Sequence, residues 1–167
     1  MVALCIMMDM LVRLYALPEV GDELESLNNQ GVIIRRPGVY ERHIVAHWVG
    51  ENFSPKWVSE VKTAFSHCPV SCFIATKDKQ ILGFACYDVT ARGFLGPMGV
   101  GEQARMGGLG RVLLVHALQG LRELGYAYGI IGGVGPAEFY AKSVGATPIE
   151  GSDPGIYRDI LPDPKNS

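Results

Sequence analysis

Three glycines crowd into the segment Arg105-Met106-Gly107-Gly108-Leu109-Gly110-Arg111, between an apolar extended stretch at 94–100 and an amphipathic helical pattern over about 108–124. Glycine enters backbone conformations closed to other residues, so this run dictates a tight turn from strand to helix. It also leaves backbone amides uncovered by side chains. The helix that follows adds its unpaired N-terminal N–H groups and the positive end of its dipole. A chain organised this way presents a socket for phosphate oxygens.

The residues themselves exclude two familiar glycine patterns. A dinucleotide fingerprint requires G-x-G-x-x-G, but Gly108 and Gly110 are followed by Leu113 where the third glycine belongs. A Walker A loop ends in Gly-Lys-Ser/Thr, and this chain has Gly110-Arg111-Val112. What remains is Arg-x-x-Gly-x-Gly, carried by Arg105, Gly108 and Gly110. This motif resembles the acyl-CoA pyrophosphate loop of the GNAT superfamily of N-acetyltransferases.

The rest of the chain supplies the context. Residues 11–15 read as a short strand and 18–29 as an acidic helix with proline near its start. Residues 31–36 are β-branched and stop at Pro37-Gly38. Two helices follow, over 41–52 and 55–66, the second with Ser54 as N-cap, Pro55 in its first turn and a stripe of Trp57, Val58, Val61 and Phe65. Strands are expected at 72–76, 81–90 and 94–100. The glycine loop and its helix come next, with Leu109, Val112, Leu113, His116, Ala117 and Leu121 on one side and Gly125 ending the helix. A buried strand at 127–131, a helix at 137–144 and two last strands at 147–149 and 155–160 complete the expectation. An antiparallel meander leading through a helix into a parallel strand is the order of the GNAT fold. The resemblance spans residues 32–160 and is strongest over 82–146. It implies an α/β domain whose mixed, mostly antiparallel sheet carries flanking helices and splays into a V-shaped cleft. The expected organisation is one domain over 1–167, with 1–30 as an N-terminal strand and helix extension and 31–160 as the core.

Composition narrows the function classes. The 167 residues are 48% apolar and 19% charged, with a net charge of −2 and no basic block. That is globular and not a nucleic-acid surface. No apolar run reaches the ~20 residues of a membrane span, and the apolar start carries Asp9 and Arg13 without a basic leader. A cytoplasmic location is the expectation, and the several early methionines leave the start site open. Cys5, Cys68, Cys72 and Cys86 are too few and scattered for a disulfide scaffold, and Cys68-x3-Cys72 beside His67 has no second pair, so no metal is expected. His43 and His47 share a helix face, but the H-E-x-x-H pattern is absent.

The remaining site residues follow from the resemblance together with local chemistry. Gly96-Pro97 interrupts the strand that precedes the loop. Proline cannot donate to a ladder and glycine marks bulges, so pairing is expected to break where the cleft would open. Beyond it, the resemblance gives the backbone of Met98, Gly99 and Val100 to the pantetheine arm, with an oxyanion donor from the same strand. It gives Arg105, Met106, Gly107, Gly108, Leu109, Gly110 and Arg111 to the pyrophosphate, through amides more than guanidinium groups. The segment Glu138-Phe139-Tyr140 to Gly145-Ala146 is similar to a second GNAT signature, which makes Tyr140 the general acid for the departing thiolate. A phenol with an ordinary pKa near ~10 is protonated at neutral pH, as a donor must be. Many members carry asparagine seven residues before this tyrosine; here Gly133 stands there.

An amine must lose a proton before it attacks a thioester, so a base is needed. Glu102 is the leading candidate. Asp88 and Glu138, with Cys86, are candidates for the acceptor wall, and Trp48 and Trp57 border it or belong to the core. The implied activity is transfer of an acetyl group from acetyl-CoA directly to a primary amine of a small-molecule acceptor, by a chain that could dimerise. The alternative is a non-catalytic acyl-CoA-binding sensor module.

Overall fold

The computed structural model describes residues 8–105 and 107–164. Its strands are β1 (Met10–Arg13), β2 (Ile33–Arg35), β3 (Cys72–Lys77), β4 (Gln80–Tyr87), β5 (Phe94–Val100), β6 (Tyr128–Ile131) and β7 (Thr147–Pro148). They form one sheet in the order β2-β3-β4-β5-β6-β1-β7. The β5–β6 pair is parallel and every other neighbouring pair is antiparallel. The helices are α1 (Gly21–Asn29), α2 (Arg42–Asn52), α3 (Pro55–Ala64), α4 (Leu109–Glu123) and α5 (Ala137–Val144). The mixed, mostly antiparallel sheet matches the expected architecture.

The period-2 alternation of β3 and β4 divides the core into two layers. Cys72, Ile74, Phe84 and Cys86 face α2 and α3, where Val45, Val49, Val61 and Ala64 are buried against them. Ala75, Ala85 and Tyr87 point to the opposite face and pack with α4. The β4 strand stops at Tyr87, short of the expected residue 90. Asp88 takes a left-handed conformation (φ 59°), and its carboxylate accepts the Gly93 N–H at 2.7 Å to close the turn into β5.

Helix α4 is buried more completely than one amphipathic face implies. Leu114, Val115 and Leu118 are buried along with Leu109, Val112, Leu113, Ala117 and Leu121, while His116 remains half-buried. The N-terminal segment is the reason. Leu14, Val20 and Leu27 are buried in the same cluster, so the turn after β1 and helix α1 cover the outer side of α4. Fully burying a leucine is worth ~1.5–3 kcal/mol, so this covering layer is a substantial part of the fold.

The same segment corrects two expectations. The expected extension at 1–30 is, over its described residues 8–30, part of the core, because β1 is an interior strand, pairing antiparallel with β6 on one side and β7 on the other. The second of the two expected last strands, at 155–160, is absent. Gly155–Tyr157 forms a single 3-10 turn after a turn held by the Ser152 hydroxyl, which donates to Ile149 at 2.6 Å. The place beside β7 that a returning strand would fill is taken by β1, whose Met10 and Val12 are fully buried.

Candidate active site

The β5 strand parts from β6 near its start, after Leu95. Phe94 and Leu95 pair with Ile130 and Ile131. Beyond Leu95 no strand among the described residues pairs on that side, while Met98, Gly99 and Val100 stay paired with Ala85, Phe84 and Gly83 of β4 on the other. The register shift falls between Ala85 and Tyr87, facing Gly96-Pro97, as the missing proline N–H and the glycine at φ 121° require. The free edge of β5 therefore offers backbone N–H and C=O groups to a ligand. A cavity of about 400 Å³ opens here between residues 95–98 and the loop 132–136, with Tyr140 of α5 at its wall.

The glycine loop lies at the far end of the same strand. Gly101 N–H donates to Leu82 at 2.8 Å and a 3-10 turn follows over Glu102–Ala104. Gly107 and Gly108 then adopt positive φ (28° and 82°), the conformation glycine enters without a Cβ penalty. The first backbone bond of α4 runs from Val112 N–H to the Gly108 carbonyl at 2.9 Å, and no side chain caps the helix. The N–H groups of Leu109, Gly110 and Arg111 thus precede any intrahelical acceptor and point out of the helix start. Arg105 is exposed beside them. Arg111 is already engaged, its guanidinium paired with Glu23 of α1. Met106 lies outside the described residues.

Tyr140 sits on α5, which ends in a left-handed Gly145 (φ 65°) bonded back to Ala141. The Tyr140 side chain is largely buried and its ring meets Phe139 edge to face, centroids 5.1 Å apart. Burial pushes its phenol above the ordinary value, so it is protonated at neutral pH. Its hydroxyl takes no hydrogen bond among the described residues, yet it is not a buried orphan, because the atom reaches the cleft. Glycine at position 133, where many members have asparagine, leaves a wall of backbone. The Gly133 N–H is anchored from behind by the buried carboxylate of Asp9, at 2.9 Å.

The other candidates are dispersed. Glu102 is exposed and lines a separate cavity beyond Val100 with Trp48, Phe53 and Lys77, one that Tyr140 does not line. Asp88 is spent on the turn described above. Glu138 is exposed and pairs with Lys142 at 2.6 Å. Cys86 is fully buried opposite Cys72, and burial together with that neighbouring thiol pushes its own thiol well above the ordinary value. A nucleophilic thiolate is thereby opposed. His43 and His47 are exposed on α2. Trp48 and Trp57 join Phe53 and Phe84 in an aromatic cluster under the α2–α3 turn, and Trp57 also reaches the cleft.

Sequence reasoning missed Glu60, Thr90 and Tyr157, which line the cleft with Tyr140. A signal for Glu60 existed, since it lies three residues after Trp57 and shares its helix face. Tyr157 carries no such signal, because the pattern at 155–160 suggests a strand rather than the turn that holds it.

Among the described residues no helix is long and apolar enough to cross a membrane, and no group of three or more His, Cys, Asp or Glu is placed to hold a metal. Comparison with curated proteins finds no match. Solved structures share the fold. The chain superposes on a GCN5-related N-acetyltransferase from Sphaerobacter thermophilus with TM-score 0.65 and 20% identity over 85% of this chain and 48% of that one. It also superposes on the GCN5-related glucosamine N-acetyltransferase region of a fungal multi-domain β-N-acetylglucosaminidase, with TM-score 0.69, 15% identity, and 85% of this chain against 19% of that one. For a GCN5-related N-acetyltransferase from Kribbella flavida the values are 0.55, 16%, and 84% against 53%. The chain thus spans about half the length, or less, of these structures. Residues 40–145, more than half of the sequence, match the family model for the acetyltransferase (GNAT) family. With the splayed β5–β6 pair and the glycine loop in their expected places, the chain belongs to the GNAT acetyltransferase family.

Proposed function

We propose that this chain binds acetyl-CoA along the free edge of β5 and transfers its acetyl group directly to a primary amine of a small-molecule acceptor. The observation that carries this reading is Tyr140, its hydroxyl without a partner among the described residues, at the wall of the cleft where β5 leaves β6. The residues fit the cosubstrate. The loop amides of Leu109, Gly110 and Arg111, with the helix dipole behind them, hold the pyrophosphate. Met98, Gly99 and Val100 hold the pantetheine amides by strand-like hydrogen bonds. Acetyl-CoA supplies an activated acyl group, and the protein's own work is positioning and proton transfer. Tyr140 keeps its proton in the buried, neutral form and gives it to the departing sulfur. The wall at 132–136 is mostly glycine, which keeps side chains off that part of the cleft.

Isothermal calorimetry with acetyl-CoA, followed by release of CoA thiol over a panel of primary amines, tests the reading. Binding with amine-dependent thiol release is expected. Binding without turnover on any acceptor would favour the sensor module, and absence of binding would remove the reading altogether.

A further inference from the structure

Glu60 is the only charged side chain among the described residues lining the Tyr140 cleft. The Thr90 hydroxyl donates to its Oε1 at 2.5 Å, which orients the carboxylate and leaves Oε2 without a protein partner among the described residues. Among the described residues no lysine, arginine or histidine lines the cavity. Trp57, on the same face of α3, and Tyr157 supply aromatic surface of the kind that attracts cations. The rest of the wall is backbone and apolar side chains from 95–98 and 131–136. Behind it lies a second carboxylate, Asp9, and together with burial Asp9 and Glu60 push the Tyr157 phenol up to about 12. The cavity therefore attracts a cation, and among the described residues it offers a carboxylate or phosphate no positive charge. At about 400 Å³, shared with the acyl end of the thioester, it admits a small acceptor.

We propose that Glu60 binds the ammonium group of the acceptor and takes its proton, and that the acceptor is a small alkylamine with no anionic group beside its nitrogen. This rests on the acetyltransferase reading above. Glu60 Oε2 takes one proton from the ammonium, leaving a neutral nitrogen whose lone pair forms the N–C bond to the acetyl carbonyl carbon. The C–S bond breaks with its electron pair on sulfur, and Tyr140 Oη–H protonates that sulfur. The second N–H proton, lost as the amide forms, restores the phenol through solvent. Glu60 returns its proton to solvent, so one proton is released for each amide made.

The test uses the full chain and three probes of similar size: phenethylamine, a cation at neutral pH; phenylalanine, the same skeleton with a carboxylate; and O-benzylhydroxylamine, which is neutral. The wild type is expected to favour phenethylamine over phenylalanine by about 100-fold in kcat/KM, as an unpaired buried carboxylate requires. Glu60→Gln is expected to lower kcat/KM for phenethylamine by about 100-fold, to leave O-benzylhydroxylamine within about threefold, and to leave acetyl-CoA affinity unchanged. An equal loss on both nucleophiles would show a structural role and overturn the assignment, as would no loss on either. Equal use of phenylalanine, or no turnover of alkylamines by a chain that binds acetyl-CoA, would overturn the acceptor class. Failure of the wild type to bind acetyl-CoA would instead remove the acetyltransferase reading beneath it.

Discussion

Replacing Tyr140 with phenylalanine separates a catalytic hydroxyl from a structural one. A buried hydroxyl with a protein partner contributes about 0.5–1.5 kcal/mol to stability. In a domain of this size that would appear as a Tm shift of about 2–4 °C per kcal/mol. The Tyr140 hydroxyl has no such partner among the described residues and opens to the cleft, so Tyr140→Phe is expected to keep Tm within about 1 °C. The ring and its edge contact with Phe139 remain. Catalysis loses the proton donor, which is worth about 100- to 10,000-fold, or roughly 3–5 kcal/mol of barrier. The assay pairs thermal unfolding with steady-state thiol release at saturating acetyl-CoA. The loss should appear in kcat, with acetyl-CoA affinity preserved. A variant with full kcat, whatever its Tm, would refute the general-acid role, and a large Tm loss would mean that the hydroxyl is bonded after all.

The loop makes a sharper demand on backbone than on charge. Gly108→Glu forces a side chain onto a φ of 82° and sets its Cβ 3.3 Å from Glu23, adding a carboxylate at the anion socket. Acetyl-CoA affinity measured by calorimetry should fall by about 100-fold or more. Arg111→Ala should cost about threefold or less, because that guanidinium is already paired with Glu23. In the core, Leu118→Ala should cost about 2–5 kcal/mol in urea unfolding, and the exposed Leu124→Ala less than about 0.5 kcal/mol. A small loss at Leu118 would mean that the N-terminal layer does not cover α4. Alkaline pH should also weaken the fold. The folded chain favours the neutral phenols of Tyr140 and Tyr157, the latter held up to about 12. That contribution is present below the unfolded value near ~10 and is lost as pH rises toward 12. Tyr157→Phe should flatten the fall in urea midpoint over this window.

The cleft's wall and floor were legible in the chain because they depend on local chemistry. Gly96-Pro97 cannot sustain a ladder, a run of glycines before an apolar helix exposes amides, and Gly145 stops α5 just after Tyr140. Each is a property of a few consecutive residues, so sequence alone placed it. The carboxylates were a different matter. Glu102 stands beside the loop in sequence, but it lines a cavity that Tyr140 does not share. Asp88 stands next to the strand, but its own turn consumes it. Proximity along the chain says little about which side of a strand a group reaches once the chain bends.

What the sequence determined by itself was the order of elements from β2 to β7, the break in β5, the glycine turn before α4 and the tyrosine on α5, all set by backbone chemistry within short windows. Tertiary structure decided which carboxylate shares the cleft with Tyr140, and it chose Glu60, some eighty residues earlier, through the packing of α3 over the sheet. It also decided that the N-terminal strand, not a C-terminal one, fills the place between β6 and β7. The physical reason is common to both. Strand pairing and helix packing are selected by burial and hydrogen-bond completion over the whole chain, and several short apolar segments satisfy the same local pattern equally well.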